Sequence, residues 1–251
     1  MEILRVRKLK KIYTGKIAYQ ALSDVNLTIK KGEFVGIMGP SGSGKTTLLN
    51  LISTIDAPTS GEILIQGENP HLLSQNQLAL FRRKELGLVF QSFNLLDTLT
   101  VKENIILSLT LEGVSFDYIQ KKLENISKKL DIQDILNKCT YEISRGQAQR
   151  TAIARALMHQ PKLILADEPT GNLDSKAAGD VMELLNQLNE DQDITMMLVT
   201  HDPVVASYCN RVIFIRDGKF YNEIYCGDNR QDFYQKIINI LSVVRGMRQN
   251  L

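Results

Sequence analysis

The chain has 251 residues, 43% of them hydrophobic, enough for one large domain or two small ones with a sizeable core. Its 30 basic and 28 acidic residues leave a formal net charge of +2, so no global field invites nucleic acid, and no nucleic-acid partner is expected. The cysteines Cys139, Cys209 and Cys226 are odd in number, far apart and outside any C-x-x-C pairing, which points to reduced thiols in a cytosolic protein and away from a structural metal.

The start, MEILRVRKLKK, lacks an apolar signal segment, and no uninterrupted apolar run approaches about 18 residues, so the chain is expected to reach a membrane only through a partner. From Ile3 and again from Leu22, apolar and polar residues alternate as in half-buried antiparallel strands, with a polar loop containing Tyr13 between them. Phe34 to Met38 (FVGIM) predicts a short buried strand and Lys45 to Ser53 a helix. Glu62 to Ile65 predicts a strand ended by Gly67, followed by a polar helical stretch to about Arg83 and a strand over Leu86 to Phe90, with Gln91 at its end. From about residue 92 to 160 strand patterning fades. Thr100 and Glu103 form a capping-box pair ahead of Ile105 to Leu111, and Ser115 to Leu130 repeats apolar residues at helical spacing, so this section reads as an inserted helical subdomain. It ends in ISRGQAQRTAIARALM, where Ser144 is the expected N-cap and Pro161 the stop. Buried strands follow at Leu163 to Ala166, running into Asp167 and Glu168, and at Thr195 to Thr200, running into His201 and Asp202. A hairpin around Asp217 and Gly218 and a helix from about Asp232 to Val244 close the chain. Strands alternating with helices, with polar residues at strand C-termini, predict a mostly parallel α/β sheet whose site lies at that edge.

Between the FVGIM strand and its helix, Gly39, Pro40, Ser41, Gly42, Ser43, Gly44, Lys45 and Thr46 match G-x-x-x-x-G-K-[ST] at every fixed position. Gly42 and Gly44 allow backbone amides to close round phosphates, Lys45 supplies an ammonium for the terminal phosphates and Thr46 a hydroxyl for Mg²⁺, while the helix N-terminus faces the anion. Phosphoryl transfer to water also needs a metal-shell carboxylate and a positioned water. Asp167 suits the first role and Glu168 the second. His201 ends a neighbouring strand, as a γ-phosphate contact or a structural cap. His71 and His159 lie in polar surroundings and are read as structural. A base needs a flat apolar face to stack on, and Tyr13, then Tyr19, are the candidates beside the reading of ordinary exposed aromatics. Ser144 with Gly146 and Gln147 makes a second anion site at a helix start, for which the chain's own phosphate loop has no use.

In this order, GPSGSGKT, Gln91, ISRGQ, LILADE, GNLDS and VTHD resemble the ATP-binding-cassette ATPases along essentially the whole chain. The resemblance implies a RecA-like core with an antiparallel β-subdomain over 1–91 and 161–230, a helical subdomain carrying the signature over 92–160, and a C-terminal helix over 231–251. It implies ATP and Mg²⁺, with Tyr13 at the adenine, Gly39 to Thr47 at the phosphates, and Thr46, Gln91 and Asp167 at Mg²⁺. Gln91 and Glu168 fall at the attacking water, Glu168 as the base, with His201 as the γ-phosphate switch. Asp174 lies in the loop that crosses to a second copy, whose Ser144, Arg145, Gly146 and Gln147 complete the site. Arg145 stands where the family usually has the first of two glycines. GNLDS and FNLLDTLTVKEN look like the lipoprotein-release and macrolide-efflux branch, and VTHDPVVASYCNRVIFIRDG like the bacitracin-type peptide-resistance ATPases. That branch implies two copies on a membrane permease at the cytoplasmic face of the membrane, with a sensor histidine kinase reached through the permease. The competing functions are a lipoprotein-release or macrolide-efflux ATPase and a soluble cassette acting on nucleic acid or the ribosome. The soluble classes usually carry two cassettes or long coiled-coil or zinc-bearing insertions, which this chain lacks. A small-molecule kinase would leave the second anion site without a use.

Overall fold

Runs such as FVGIM, LILA and VIFI are apolar at consecutive positions, a pattern that suits short strands buried on both faces. The computed structural model of the chain describes the backbone of residues 1–15 and 17–246 and the side chains as far as Val244. The first half forms β1 (Glu2–Tyr13), β2 (Tyr19–Lys30), β3 (Phe34–Met38), α1 (Lys45–Ile52), β4 (Ser60–Ile65), α2 (Gln75–Glu85), β5 (Leu86–Phe90), α3 (Val101–Leu111) and α4 (Phe116–Lys129). Then come α5 (Arg145–Leu157), β6 (Leu163–Asp167), α6 (Ser175–Gln192), β7 (Met196–Val199), α7 (Pro203–Ala206), β8 (Arg211–Arg216), β9 (Lys219–Tyr225) and α8 (Arg230–Gly246). Of the C-terminal helix expected over 231–251, residues 247–251 lie outside the described residues.

A six-stranded sheet in the order β5-β6-β7-β3-β8-β9 forms the centre, parallel except for the antiparallel hairpin strand β9, and a three-stranded antiparallel sheet β2-β1-β4 lies beside it. Side chains of the central strands alternate between two cores, as the pleat requires. Phe34, Met38, Ile164, Ala166, Leu198 and Phe214 face a layer built from α3 to α6 and α8. Val35, Ile37, Leu165, Val199, Ile213 and Ile215 face α1 and the antiparallel sheet. A one-residue slip in any of these strands would exchange its two faces, so the register is strongly specified.

Tyr13 sits inside the structure's regular part, as the last residue of β1 opposite Tyr19, where the sequence predicted a loop. Between β5 and β6 run α3, α4 and α5. The capping box ahead of α3 is complete, with Thr100 accepting from the Glu103 amide at 3.2 Å and Glu103 accepting from the Thr100 amide at 2.8 Å. Parallel pairing sets the C-terminal ends of β5, β6, β7 and β3 side by side, so Gln91, Asp167, Glu168, Thr200, His201 and Gly39 emerge along one edge. Among the described residues, no helix is long and apolar enough to cross a membrane.

Candidate nucleotide site

The phosphate loop leaves β3 and feeds α1 through Gly44, whose φ of 102° and position 2.7 Å from the Ala21 carbonyl, measured to the place a Cβ would take, admit only glycine. Gly42 also lies at positive φ, 75°, but faces open space. Lys45 is buried, and its ammonium donates to the carbonyls of Gly39 at 2.9 Å and Pro40 at 3.0 Å, curling the loop round the charge. Burial lowers the Lys45 basicity, an effect partly offset by the charges of Glu168 and Asp167. Ser43 is also buried, with a hydroxyl that has no hydrogen-bond partner among the described residues.

Asp167 ends β6 opposite Val199 of β7. Burial, then the neighbouring Glu168, raises its pKa, while Lys45 pulls the other way. Its Oδ1 is buried without a hydrogen-bond partner. An orphaned carboxylate oxygen is costly unless a cation or donor meets it, so Asp167 fits a hard divalent cation held largely through substrate oxygens. Among the described residues, no cluster of three or more His, Cys, Asp or Glu could hold a metal by itself.

Glu168 turns out of the strand with φ of 44°, a left-handed conformation that costs a non-glycine residue on the order of 1–2 kcal/mol. Two contacts hold it there. The Thr200 hydroxyl donates to Glu168 Oε2 at 3.1 Å, and His201 Nδ1 lies 2.7 Å from Glu168 Oε1. An ionised carboxylate only accepts, so in this contact the His201 proton is on Nδ1. The Thr200 hydroxyl in turn accepts from the Asp202 amide at 3.0 Å, fixing its hydrogen toward Glu168. The sequence reading passed over Thr200, although the pairing of Asp167 with Val199 places the next residue of each strand side by side.

Gln91 is exposed just past β5. Its side chain packs on Gly171, where a Cβ would come within 2.6 Å of Gln91 Nε2, and its carbonyl accepts from Asn172 Nδ2 at 2.9 Å. The residues after it, Phe93 and Asn94, are both at positive φ, and Arg155 from α5 donates to both of their carbonyls. Neither Asn172 nor Arg155 was singled out from sequence.

Ser144 caps α5 as expected. Its hydroxyl accepts from the Gln147 amide at 3.2 Å, and Gln147 Oε1 accepts from the Ser144 amide at 2.9 Å. This box leaves the amides of Arg145 and Gly146 as free ends of the first turn. The turn opens on a cleft of about 250 Å³ shared with Asp131, Arg150 and Asp180, whose lining includes no phosphate-loop residue. Arg145 is exposed, and its guanidinium donates to the Asn172 carbonyl of its own chain at 3.4 Å, which turns the charge toward the GNLDS loop. Asp174 caps α6, accepting from the amides of Lys176 and Ala177 at 3.0 Å each.

Tyr13 is 40% exposed, with Lys11 Nζ 4.8 Å over its ring and its hydroxyl donating to Asp56. Tyr19 reaches the phosphate loop itself, donating to the Gly42 carbonyl at 3.4 Å. His71 and His159 sit away from this edge, bound to the Leu51 carbonyl and the Ser108 hydroxyl.

A sequence profile described as ABC transporter matches residues 22–171. The chain is 60% identical over 249 residues to the ABC transporter ATP-binding protein YxdL of Bacillus subtilis (strain 168), covering 99% of this chain and 97% of that protein. With the bacitracin export ATP-binding protein BceA of Halalkalibacterium halodurans it shares 47% identity over 252 residues, the full length of both. Among solved structures, the dimeric post-hydrolysis state of the ATP-binding cassette MJ0796 bound to ADP and Pi matches with a TM-score of 0.81 at 41% identity, over 90% of this chain and 100% of that one. A profile match over more than half the chain and full-length relatives at this identity carry one conclusion: the chain belongs to the ABC transporter family, as an ATP-hydrolysing cassette.

Proposed function

We propose that the chain powers a membrane permease that protects against peptides of the bacitracin class, working as a pair of copies closed on ATP at the cytoplasmic face of the membrane. One observation carries the paired arrangement. The phosphate loop, Asp167, Glu168 and His201 share one sheet edge, whereas the free amides of the α5 start open on a cleft that includes none of them. A second copy bringing Ser144, Gly146 and Gln147 to that edge completes the anion site. In this reading residues 92–160 present the signature and are carried on the core of 1–91 and 161–230. Asp174 lies where the two copies meet. The peptide class rests on the full-length similarity to a bacitracin export protein. An association with a sensor histidine kinase rests on the sequence resemblance alone.

Lys45, the loop amides of Gly39 to Thr47 and the α1 N-terminus bind and orient the triphosphate, and Tyr13 stacks on the base. Thr46, Gln91 and Asp167 would hold Mg²⁺, which neutralises phosphate charge when bound. Glu168, fixed by Thr200 and His201, takes a proton from the attacking water as its oxygen bonds to the γ-phosphorus, and the bond from that phosphorus to the β-γ bridging oxygen breaks to release ADP. His201, tied to Glu168, meets the γ-phosphate and reports its presence to the strand end.

Turnover in Glu168→Gln should fall by about 10² to 10⁴ with ATP binding kept, and Lys45→Ala should lose ATP binding. Near-normal hydrolysis in either folded variant refutes the site assignment. In cells that depend on this chain for bacitracin tolerance, Glu168→Gln should abolish that tolerance. Unchanged tolerance with the variant as the only copy would refute the peptide assignment and leave the ATPase reading standing.

A further inference from the structure

One cavity lies far from the phosphate loop, at the opposite edge of the parallel sheet. It has a volume of about 740 Å³ and is walled on one side by α4 and on the other by the strand starts and helix ends that lead into β6 and β7. The floor is apolar, with Ile3, Ile126, Leu157 and Leu188 all buried. Round it stand Lys31, Lys121, Lys122, Lys129 and Lys162, against a single acidic lining residue, Asp193. That carboxylate is already taken, since Lys31 pairs with it at 2.5 Å. Lys122 lies over the Tyr118 ring at 5.3 Å. Among the described residues, Lys121, Lys129 and Lys162 have no ion-pair partner.

Lysines bury their stems along apolar surface and keep the ammonium at the rim, so the chemistry of this cavity is layered, apolar below and cationic above. Its size is that of a small-molecule site, about 300–1,000 Å³, and its lining combines apolar side chains with a few charges at the rim. A neutral apolar ligand would leave the charges unmet, and a small inorganic anion would leave the floor unfilled. We infer that this cavity binds an amphipathic anion, a single apolar chain or ring system with a phosphate or carboxylate head held by Lys121, Lys129 and Lys162.

Its position gives the occupant a lever. One wall, α4, packs on α5, whose first turn carries the signature, while the other wall belongs to the strands whose far ends carry Asp167 and Thr200. A molecule wedged between them resists any change in the angle between the two walls, and therefore modulates ATP turnover without touching ATP.

The test uses the whole chain with MgADP present, so that the phosphate loop is occupied. Octyl phosphate below its micelle concentration is titrated calorimetrically, beside octyl glucoside, which lacks the charge, and inorganic phosphate, which lacks the tail. Octyl phosphate should bind at least ten-fold more tightly than either control. The exposed-residue double variant Lys129→Glu/Lys162→Glu should weaken it at least ten-fold. Asn125→Trp, which fills the cavity from the exposed face of α4, should do the same by a different route. In ATPase assays, octyl phosphate should change turnover at least two-fold in the unmodified chain and in neither variant. Equal octyl phosphate binding by the unmodified chain and both folded variants overturns the proposal, as does no binding up to the micelle concentration. Sedimentation with phosphatidylglycerol vesicles that depends on the same lysines, without binding of the monomeric octyl phosphate, overturns it in favour of a membrane surface.

Discussion

Arg155 measures how firmly the loop after Gln91 is held. Its guanidinium is sufficiently buried to lower its basicity, and it donates to the Phe93 carbonyl at 2.8 Å and to that of Asn94. Phe93 and Asn94 have φ of 61° and 49°, conformations that cost non-glycine residues on the order of 1–3 kcal/mol each unless their surroundings enforce them. Arg155→Met keeps most of the aliphatic stem and removes both donors. Hydrogen bonds to a charged group contribute about 1.5–3 kcal/mol each, and the cost of burying the guanidinium together with release of the backbone strain offsets part, leaving a net loss of roughly 2–3 kcal/mol. A surface loop absorbs such a loss by opening locally. Exchange of the amides of Phe93, Asn94 and Leu96, each hydrogen-bonded in the structure, should therefore accelerate roughly 30- to 150-fold, while amides of β3 and β6 keep their protection. Turnover should fall with ATP binding retained, because the loop that follows Gln91 is no longer held in place. Arg155→Lys, with a point charge in place of a fork, should fall between the two. Exchange within two-fold of the unmodified chain at these three amides would refute the clamp.

Thr200→Val keeps volume in a site that is 0% exposed but strands Glu168 Oε2 and the Asp202 amide, so the chain should lose about 1–3 kcal/mol and Tm about 2–10 °C, with turnover down at least five-fold; an unchanged Tm and rate refute the role. Burial lowers the basicity of His71 and His159, so the unfolded chain binds protons at a higher pH than the folded one. The resulting stability is complete above the ordinary value of about 6.5 and is lost as pH falls through it, by at most about 1.4 kcal/mol per pH unit per group. The Tm drop from pH 7.5 to 5.5 should therefore shrink in His71→Gln/His159→Gln, and parallel slopes would count against this. Leu96 is 48% exposed while its backbone is pinned by Asn104, so Leu96→Asp should leave Tm and isolated ATPase nearly unchanged and reduce co-purification with a permease; a lower Tm and equal loss of ATPase would instead assign it to the core. Arg145→Gly removes a long, solvent-screened bond within the chain, so the ATP-dependent dimer constant of Glu168→Gln should shift less than two-fold; a ten-fold weakening at low salt would place the guanidinium on the second copy.

What could be read from sequence follows the range of the forces involved. The strand Phe34 to Met38 was legible to the residue because an apolar run meets a glycine loop at one end. The start of α3 was legible because both halves of its capping box lie three residues apart. The 18-residue α6 drew no prediction, since its apolar positions Val181, Met182, Leu185 and Leu188 are diluted by polar neighbours in a segment read only for GNLDS. Lys45 announced itself through the spacing of the glycine-rich loop, and Asp167, Glu168 and His201 as polar residues at the ends of apolar strands. Thr200 and Arg155 did not, because their partners lie 32 and about 60 residues away and only the fold brings them together. Tyr13 was placed in a loop because Lys10, Lys11 and Thr14 around it read as polar, whereas pairing with Tyr19 extends the strand to include it.

The helix α5 joins these pieces mechanically. It carries the capped start that the proposed pairing uses, Ser144 to Gln147, at one end and Arg155 in its last turn, 13 residues that span about 20 Å as one rigid rod. Its last turn grips the loop after Gln91, while its first turn reaches Asn172 through Arg145, and Asn172 in turn holds the Gln91 carbonyl. Gln91 is thus addressed from both ends of one helix. The two links differ in strength, since Arg155 makes two short bonds, one of them partly buried, and the single Arg145 bond is long and exposed, so force passes mainly through the last turn. In the paired arrangement proposed above, a displacement of residues 93–96 would be carried to the start of α5 as a rigid-body motion, and closing that start on a second copy would pull the same loop back toward Gln91. A flexible connection would dissipate either motion. The left-handed residues Phe93 and Asn94, clamped by a guanidinium, form a stiff one.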